Sequence, residues 1–536
     1  MPLAGIGLQL AYVTAASSPQ GAVPPEAIPL PAVAAGDTTT APRYVGSGSC
    51  AARACHGNPA LTRRGESNSA YVIWLSTDPH AQAYSILSTP EAQHMAVALD
   101  LGDATKAQRC LACHSLSIGG THAGAAPGAS ADALLADGVG CEACHGPAEK
   151  YLAEHTLNRW HKPGDPKFDP SFGMTDTANI APRAAICAGC HVGQPDAEGR
   201  PWRDVNHDLI AAGHPRLNFE FSAYIANLPP HWNVKREPER FDELHSWIAG
   251  QLVSADAALK LLQCRAAAAP ASQTASDRTF VPGTWPELSE YDCFSCHHDL
   301  RGSSWRQAYS RSTAATLPTD RPKPPSGSPG WGTWYFQGPR ILAATPAIVP
   351  NPNGSNWLGS LNHLTASMQT ALPDLSAIRQ DADKCRAQLT SRFSSAEASF
   401  TSSMPTDHAA LRSALLKSLD SQFHRQRPRD WDEFVQYYLA LVAIERSQPQ
   451  GSDSPAVELL EAIRNRLSFP RASTASESAA TASTSLRVMN PGYSSPLDFD
   501  PDVKPAGATP DEPTGKSLSE LFDEVIRFLS AAQSSS

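Results

Sequence analysis

Between residues 50 and 300 a cysteine is followed at once by a histidine five times: Cys55-His56, Cys113-His114, Cys144-His145, Cys190-His191 and Cys296-His297. With only 18 histidines in 536 residues, composition alone does not produce such pairing. Four of these cysteines have a partner three positions earlier, in Cys110-Leu111-Ala112-Cys113, Cys141-Glu142-Ala143-Cys144, Cys187-Ala188-Gly189-Cys190 and Cys293-Phe294-Ser295-Cys296. Two thiols at that spacing share one turn and reach the two vinyl groups of a single porphyrin, while the next residue brings an imidazole under the iron. In Cys50-Ala51-Ala52-Arg53-Ala54-Cys55-His56 the loop between the thiols is wider and must bulge, which its alanines allow; we read it as a fifth attachment site. The expected cofactor is therefore haem c, five per chain, with His56, His114, His145, His191 and His297 as iron ligands. Structural zinc explains less, because it takes two spaced cysteine pairs per ion, whereas each pair here has its own histidine. Cys264 and Cys385 fall outside the motifs and read as buried or incidental thiols, a mutual disulfide being the sharper option.

The number of ligands per iron separates carrier from catalyst. Two imidazoles leave no open position; one leaves room for a small molecule. Ten further histidines lie in the same region. His80 follows Asp78-Pro79 at the entry to a predicted helix, His207 and His214 flank the polar run Asn206 to Arg216, and His155 follows the third motif by a short helix; these four are the expected distal ligands. His94, His122 and His161 compete for the remaining place, and His298 reads as a surface or supporting residue. Met95 and Met174 read as packing residues, and Arg109, Arg183 and Arg216 as either propionate partners or solvated groups.

A formal charge of -10 gives no basic field for a phosphate backbone, which argues against nucleic-acid partners. Residues 1–43 read as an atypical leader and a Pro/Ala-rich tether, since no Lys or Arg precedes Arg43. No run reaches the length of a membrane span. The haem motifs fall in 44–309, where Thr89 and Asp103 are candidate helix caps and Leu244 to Ala267 is the longest helical candidate. A Pro/Gly-rich stretch over 310–355 reads as a linker, 356–469 as a smaller helical domain, 470–515 as low complexity and 516–536 as an amphipathic helix that docks back. The expected fold class is mainly α: a loop-rich multihaem cytochrome c core with a smaller C-terminal helical domain.

Four segments, Tyr44 to Cys50, Asp78 to Ala81, Gly140 to Glu149, and Asn206 to Arg216, resemble the multihaem cytochromes of the cytochrome c-554 type, related to those that accept electrons from hydroxylamine oxidation. The resemblance spans about residues 44 to 306. It implies closely packed haems, largely bis-histidine ligation, a periplasmic setting, and room for one five-coordinate iron. The fifth motif, the widened first motif and the long C-terminal extension depart from the tetrahaem pattern, so partners and substrates do not transfer. The leading reading is electron transfer between redox partner proteins. The alternative is a redox enzyme acting on a small nitrogen-oxide species at an open iron, and a third is a sensor or scaffold whose C-terminal helices bind a partner.

Overall fold

Helices carry the whole architecture, and their starts follow from local chemistry. The computed structural model describes residues 41–59, 67–116, 124–157, 171–195, 203–232, 242–268, 285–293, 296–297, 329–332, 334–349, 356–402, 408–425, 430–448, 455–467 and 513–534, with a few single positions between them. Among these there is no strand, only three isolated bridges: Tyr44 with Ala125, Gln194 with Arg203, and Tyr291 with Trp331. Nor is any helix among them long and apolar enough to cross a membrane.

Helix α1 (Ala70–Thr77) is followed by α2 (Pro90–Ala98), where Thr89 accepts a hydrogen bond from the Ala92 N–H at 3.3 Å and proline fills the first position, as expected. Asp103 behaves differently from the expectation. Its carboxylate accepts from the Thr105 N–H at 3.0 Å and closes a turn, so α3 (Gln108–His114) begins later, with Ala107 before it. The short helices α4 (Ala131–Ala136) and α5 (Cys141–His145) lead to α6 (Ile180–His191), α7 (His207–Ala211) and α8 (Phe221–Asn227). Then comes α9 (Glu243–Ala268), the long helix expected from the sequence.

Beyond it, α10 (Gln337–Ala343) lies inside the stretch expected to be linker and buries Ile341 and Leu342 completely. Five more helices follow: α11 (Trp357–Met368), α12 (Leu375–Ser402), α13 (His408–Arg425), α14 (Trp431–Arg446) and α15 (Pro455–Arg466). Asp430 caps α14, accepting from the Glu433 N–H at 2.9 Å. The last helix, α16 (Leu518–Ser534), presents Leu521, Phe522, Val525 and Leu529 on one buried stripe, and Phe522 stacks on Phe423 with ring centres 5.2 Å apart.

Helix α9 shares one large apolar core with α10 through α16, running from Ala223 to Leu529. Each fully buried Leu, Ile or Phe there contributes roughly 1.5–3 kcal/mol. Polar ties cross to this core from the motif-bearing residues: Arg216 pairs with Asp432 at 3.0 Å, and Trp334 donates to the Phe219 carbonyl at 2.9 Å. Residues 44–232 bury little apolar surface of their own. Apart from Ala223, their core residues fall mainly into three small clusters, around Ala188 and Phe221, around Leu87 and Leu111, and around Tyr151 and Trp160.

Candidate functional site

Three of the motifs close a helix with the histidine as its last residue: α3 ends at His114, α5 at His145 and α6 at His191. One helical turn thereby holds both thiols and the ring. In the fifth motif the N–H groups of Cys296 and His297 both donate to the Cys293 carbonyl, at 3.2 and 2.8 Å. In the first motif the wider loop doubles back, with the His56 N–H donating to the Cys50 carbonyl at 3.3 Å. Gly57 makes this possible, since a Cβ there would lie 1.9 Å from the Ala51 carbonyl oxygen. Glu142, inside the third motif, is buried and binds the first motif's approach: it accepts from the N–H groups of Val45, Gly46 and Ala148 at 3.0, 2.7 and 2.7 Å.

Each motif histidine faces one second imidazole. Ring centres are 6.2 Å apart for His56 and His155, 6.3 Å for His114 and His214, and 6.4 Å for His145 and His231. The remaining pairs are His191 with His80 at 6.2 Å and His297 with His207 at 6.3 Å. Two imidazoles on opposite sides of one metal, each bonded at roughly 2 Å, place their ring centres roughly 6 Å apart, so all five gaps suit one iron. Interplanar angles run from 12° to 89°, which excludes simple ring stacking as the common cause.

The outer nitrogens of five of these ten rings have partners in the following contacts. Nδ1 of His155 meets the Tyr151 carbonyl at 3.0 Å, that of His214 the Pro215 carbonyl at 2.8 Å, and that of His114 the Ala83 carbonyl at 2.8 Å. Nδ1 of His231 lies 3.4 Å from the Pro229 carbonyl, and that of His80 lies 2.9 Å from the Asp78 carboxylate. An Nδ1–H donated to oxygen leaves the Nε2 lone pair for a metal. His207 lacks such a partner, and its Nδ1 is buried and unsatisfied. Burial lowers His145 and His191 to about 4 and also lowers His214 and His231, so these rings are neutral near neutral pH, the form that ligates. Burial opposes the charged form of His80 too, but the hydrogen bond and charge of Asp78 outweigh it and raise that ring above its ordinary value.

The sites adjoin in an order different from the chain. Cys50 lies within hydrogen-bond reach of Cys141, joining the first and third. The charges of Cys187 and Cys190 bear on the Cys144 thiol, linking the third and fourth, and Cys113 lies within hydrogen-bond reach of Cys190, joining the fourth and second. Arg109 of the second motif bonds Asn206, which caps the helix beginning at His207 and so joins the second and fifth. The resulting sequence is first, third, fourth, second, fifth.

All four distal candidates, His80, His155, His207 and His214, thus sit opposite a motif histidine. The ring opposite His145 belongs to His231, which was not among the three candidates for the last place. Of those three, His94 is exposed on α2, and His122 and His161 lie outside the described residues, as does His298. The overlooked signal was local: Pro230-His231 repeats the proline-histidine step of Pro79-His80. Met174 packs beside Ala148 and Tyr151, and Met95 lies near Gly213. Arg183 donates to the Thr177 and Ala178 carbonyls at 2.9 and 3.0 Å. Cys385 is a buried free thiol and Cys264 a half-buried one.

Residues 50–146, which hold the first three motifs, match the family described as cytochrome c554 and c-prime. No curated protein and no solved structure matches the chain.

Proposed function

We propose, from the match of residues 50–146 to the cytochrome c554 and c-prime family, that the chain is a periplasmic electron carrier holding five haem c groups. Each is tethered by one cysteine pair (Cys50 and Cys55, Cys110 and Cys113, Cys141 and Cys144, Cys187 and Cys190, Cys293 and Cys296) and held between two imidazoles. The observation that carries this reading is the set of five imidazole pairs with ring centres 6.2–6.4 Å apart. When bound, each haem supplies an iron that exchanges one electron between ferric and ferrous states.

The chain's own residues account for the rest. His80, His155, His207, His214 and His231 would supply the second imidazole at each site, which would deny that place to an outside ligand and counts against the enzyme alternative. Carbonyl and carboxylate partners on Nδ1 keep four of these five rings from turning. The small apolar clusters of residues 44–232 suit a region whose core is completed by porphyrin. The order of neighbouring sites supports a single route with the first and fifth as its ends, where redox partner proteins would dock.

The test is the native protein's mass and spin state. Five haem additions and a wholly low-spin ferric spectrum, with no carbon monoxide binding on reduction, are expected. A high-spin fraction near one-fifth in the native protein would instead support the small-molecule enzyme.

A second expected result concerns Asp78. A carboxylate on the outer nitrogen makes an imidazole a stronger donor and favours ferric iron. Asp78→Asn keeps the shape and removes the charge, so one potential should rise, by about 60 mV for a tenfold shift in a one-electron couple. Redox titration with spectroscopic detection checks it; five unmoved potentials would refute the assignment.

A further inference from the structure

A sixth pair of histidines stands apart from the five. His245, in the first turn of α9, and His408, the first residue of α13, have ring centres 5.1 Å apart at 80°. That is too close for two imidazoles on opposite sides of one iron. It suits two imidazoles on the same tetrahedral ion: bonds of roughly 2 Å at about 109° put ring centres roughly 5 Å apart. Asp242 supplies a third donor. Its Oδ1 lies 2.8 Å from His245 Nδ1 and its Oδ2 3.6 Å from His408 Nδ1, bracketing the roughly 3.3 Å edge of a tetrahedron with such bonds. The three ligand atoms lie within 4.8 Å of one another, and this is the only such cluster of histidine, cysteine and carboxylate groups among the described residues.

We propose that Asp242, His245 and His408 form a binding site for a divalent zinc-class ion, separate from the haem sites, that fastens the start of α9 to the start of α13. Two nitrogen donors exclude calcium and magnesium, which take oxygen ligands, and one carboxylate with two imidazoles is a borderline set suited to zinc. Asp242 and His245 are largely buried, with side chains 12% and 8% exposed, while His408 is 32% exposed. The ion therefore enters from the His408 side, and a water completes its fourth position. The two anchoring helices come from distant parts of the chain, so a site assembled only on folding stabilises the folded state when occupied.

The test uses the full haem-loaded protein, stripped with chelator and dialysed against micromolar zinc. Metal analysis should find one zinc per chain beyond the iron, and zinc should raise the thermal midpoint. His408→Ala should weaken zinc binding at least tenfold and abolish the thermal shift while the haem spectrum stays unchanged; because that ring is partly exposed, the variant should fold. His363→Ala, which removes an exposed ring paired with Asp381, is the matched control and should bind zinc like the native protein. No retained zinc in the native protein would overturn the proposal. Equal retention in His408→Ala and Asp242→Asn would do so too, leaving Asp242 as the hydrogen-bonded cap it also is, accepting from the His245 N–H at 2.9 Å.

Discussion

On the five-haem proposal, replacing His231 with alanine is expected to turn roughly one-fifth of the iron high-spin and to create a carbon monoxide site. The ring lies 6.4 Å from that of His145 and its outer nitrogen faces the Pro229 carbonyl, so it is the only second imidazole that the described residues bring to this site. Removing it would leave an iron held at this site by His145 alone, which opens a position for a small ligand. The residue sits in a short non-helical segment after α8, and His145 keeps its place at the end of α5, so the fold should survive. His94→Ala, which removes an exposed ring, serves as the control and should leave the spectrum untouched. Ferric spin state and carbon monoxide difference spectra decide the matter. A His231→Ala protein that stays wholly low-spin would remove the assignment.

Arg265→Met is expected to cost about 3–5 kcal/mol of stability, the usual result of stripping one partner from a buried ion network. Arg265 is only 11% exposed and binds two carboxylates at once, those of Asp204 and of Glu290, the latter at 2.6 Å; Glu290 also accepts from the Trp331 indole at 2.8 Å. Methionine keeps the apolar stem of the side chain and leaves both acids buried without their cation. The loss should also be felt at the fifth site. Asp204 leads to His207 and Glu290 leads to Cys293, and Arg265 of α9 ties those two segments together alongside the direct bond from the His207 N–H to the Glu287 carboxylate at 2.8 Å. Denaturant unfolding measures the first effect and the spin state of the fifth iron the second. Adding Asp204→Asn and Glu290→Gln should recover part of the stability, because neutral amides are less costly to bury than unpaired carboxylates. A fully stable single variant would show that the network contributes little.

The C-terminal half was legible where periodicity was strong. The apolar stripe of α16 and the Asp430 cap of α14 are local patterns, and both appear as expected. Helix α10 was not legible. It is short, follows a Pro/Gly-rich run, and is helical because Ile341 and Leu342 find a place in a core built by residues far along the chain. Asp103 misled for a similar reason: a carboxylate can close a turn or cap a helix, and only the neighbouring backbone decides which.

What the sequence determined by itself was every motif, because two thiols and an imidazole that are to serve one porphyrin must lie close along the chain, and that demand is written in neighbouring residues. The folded chain alone decided the partners. His231 facing His145, the adjacency of the first and third sites through Cys50 and Cys141, and the meeting of His245 with His408 all join residues remote in sequence. Such pairings depend on how helices pack and where loops turn, and no local pattern of residue types encodes the distance between two rings that the chain brings together only on folding.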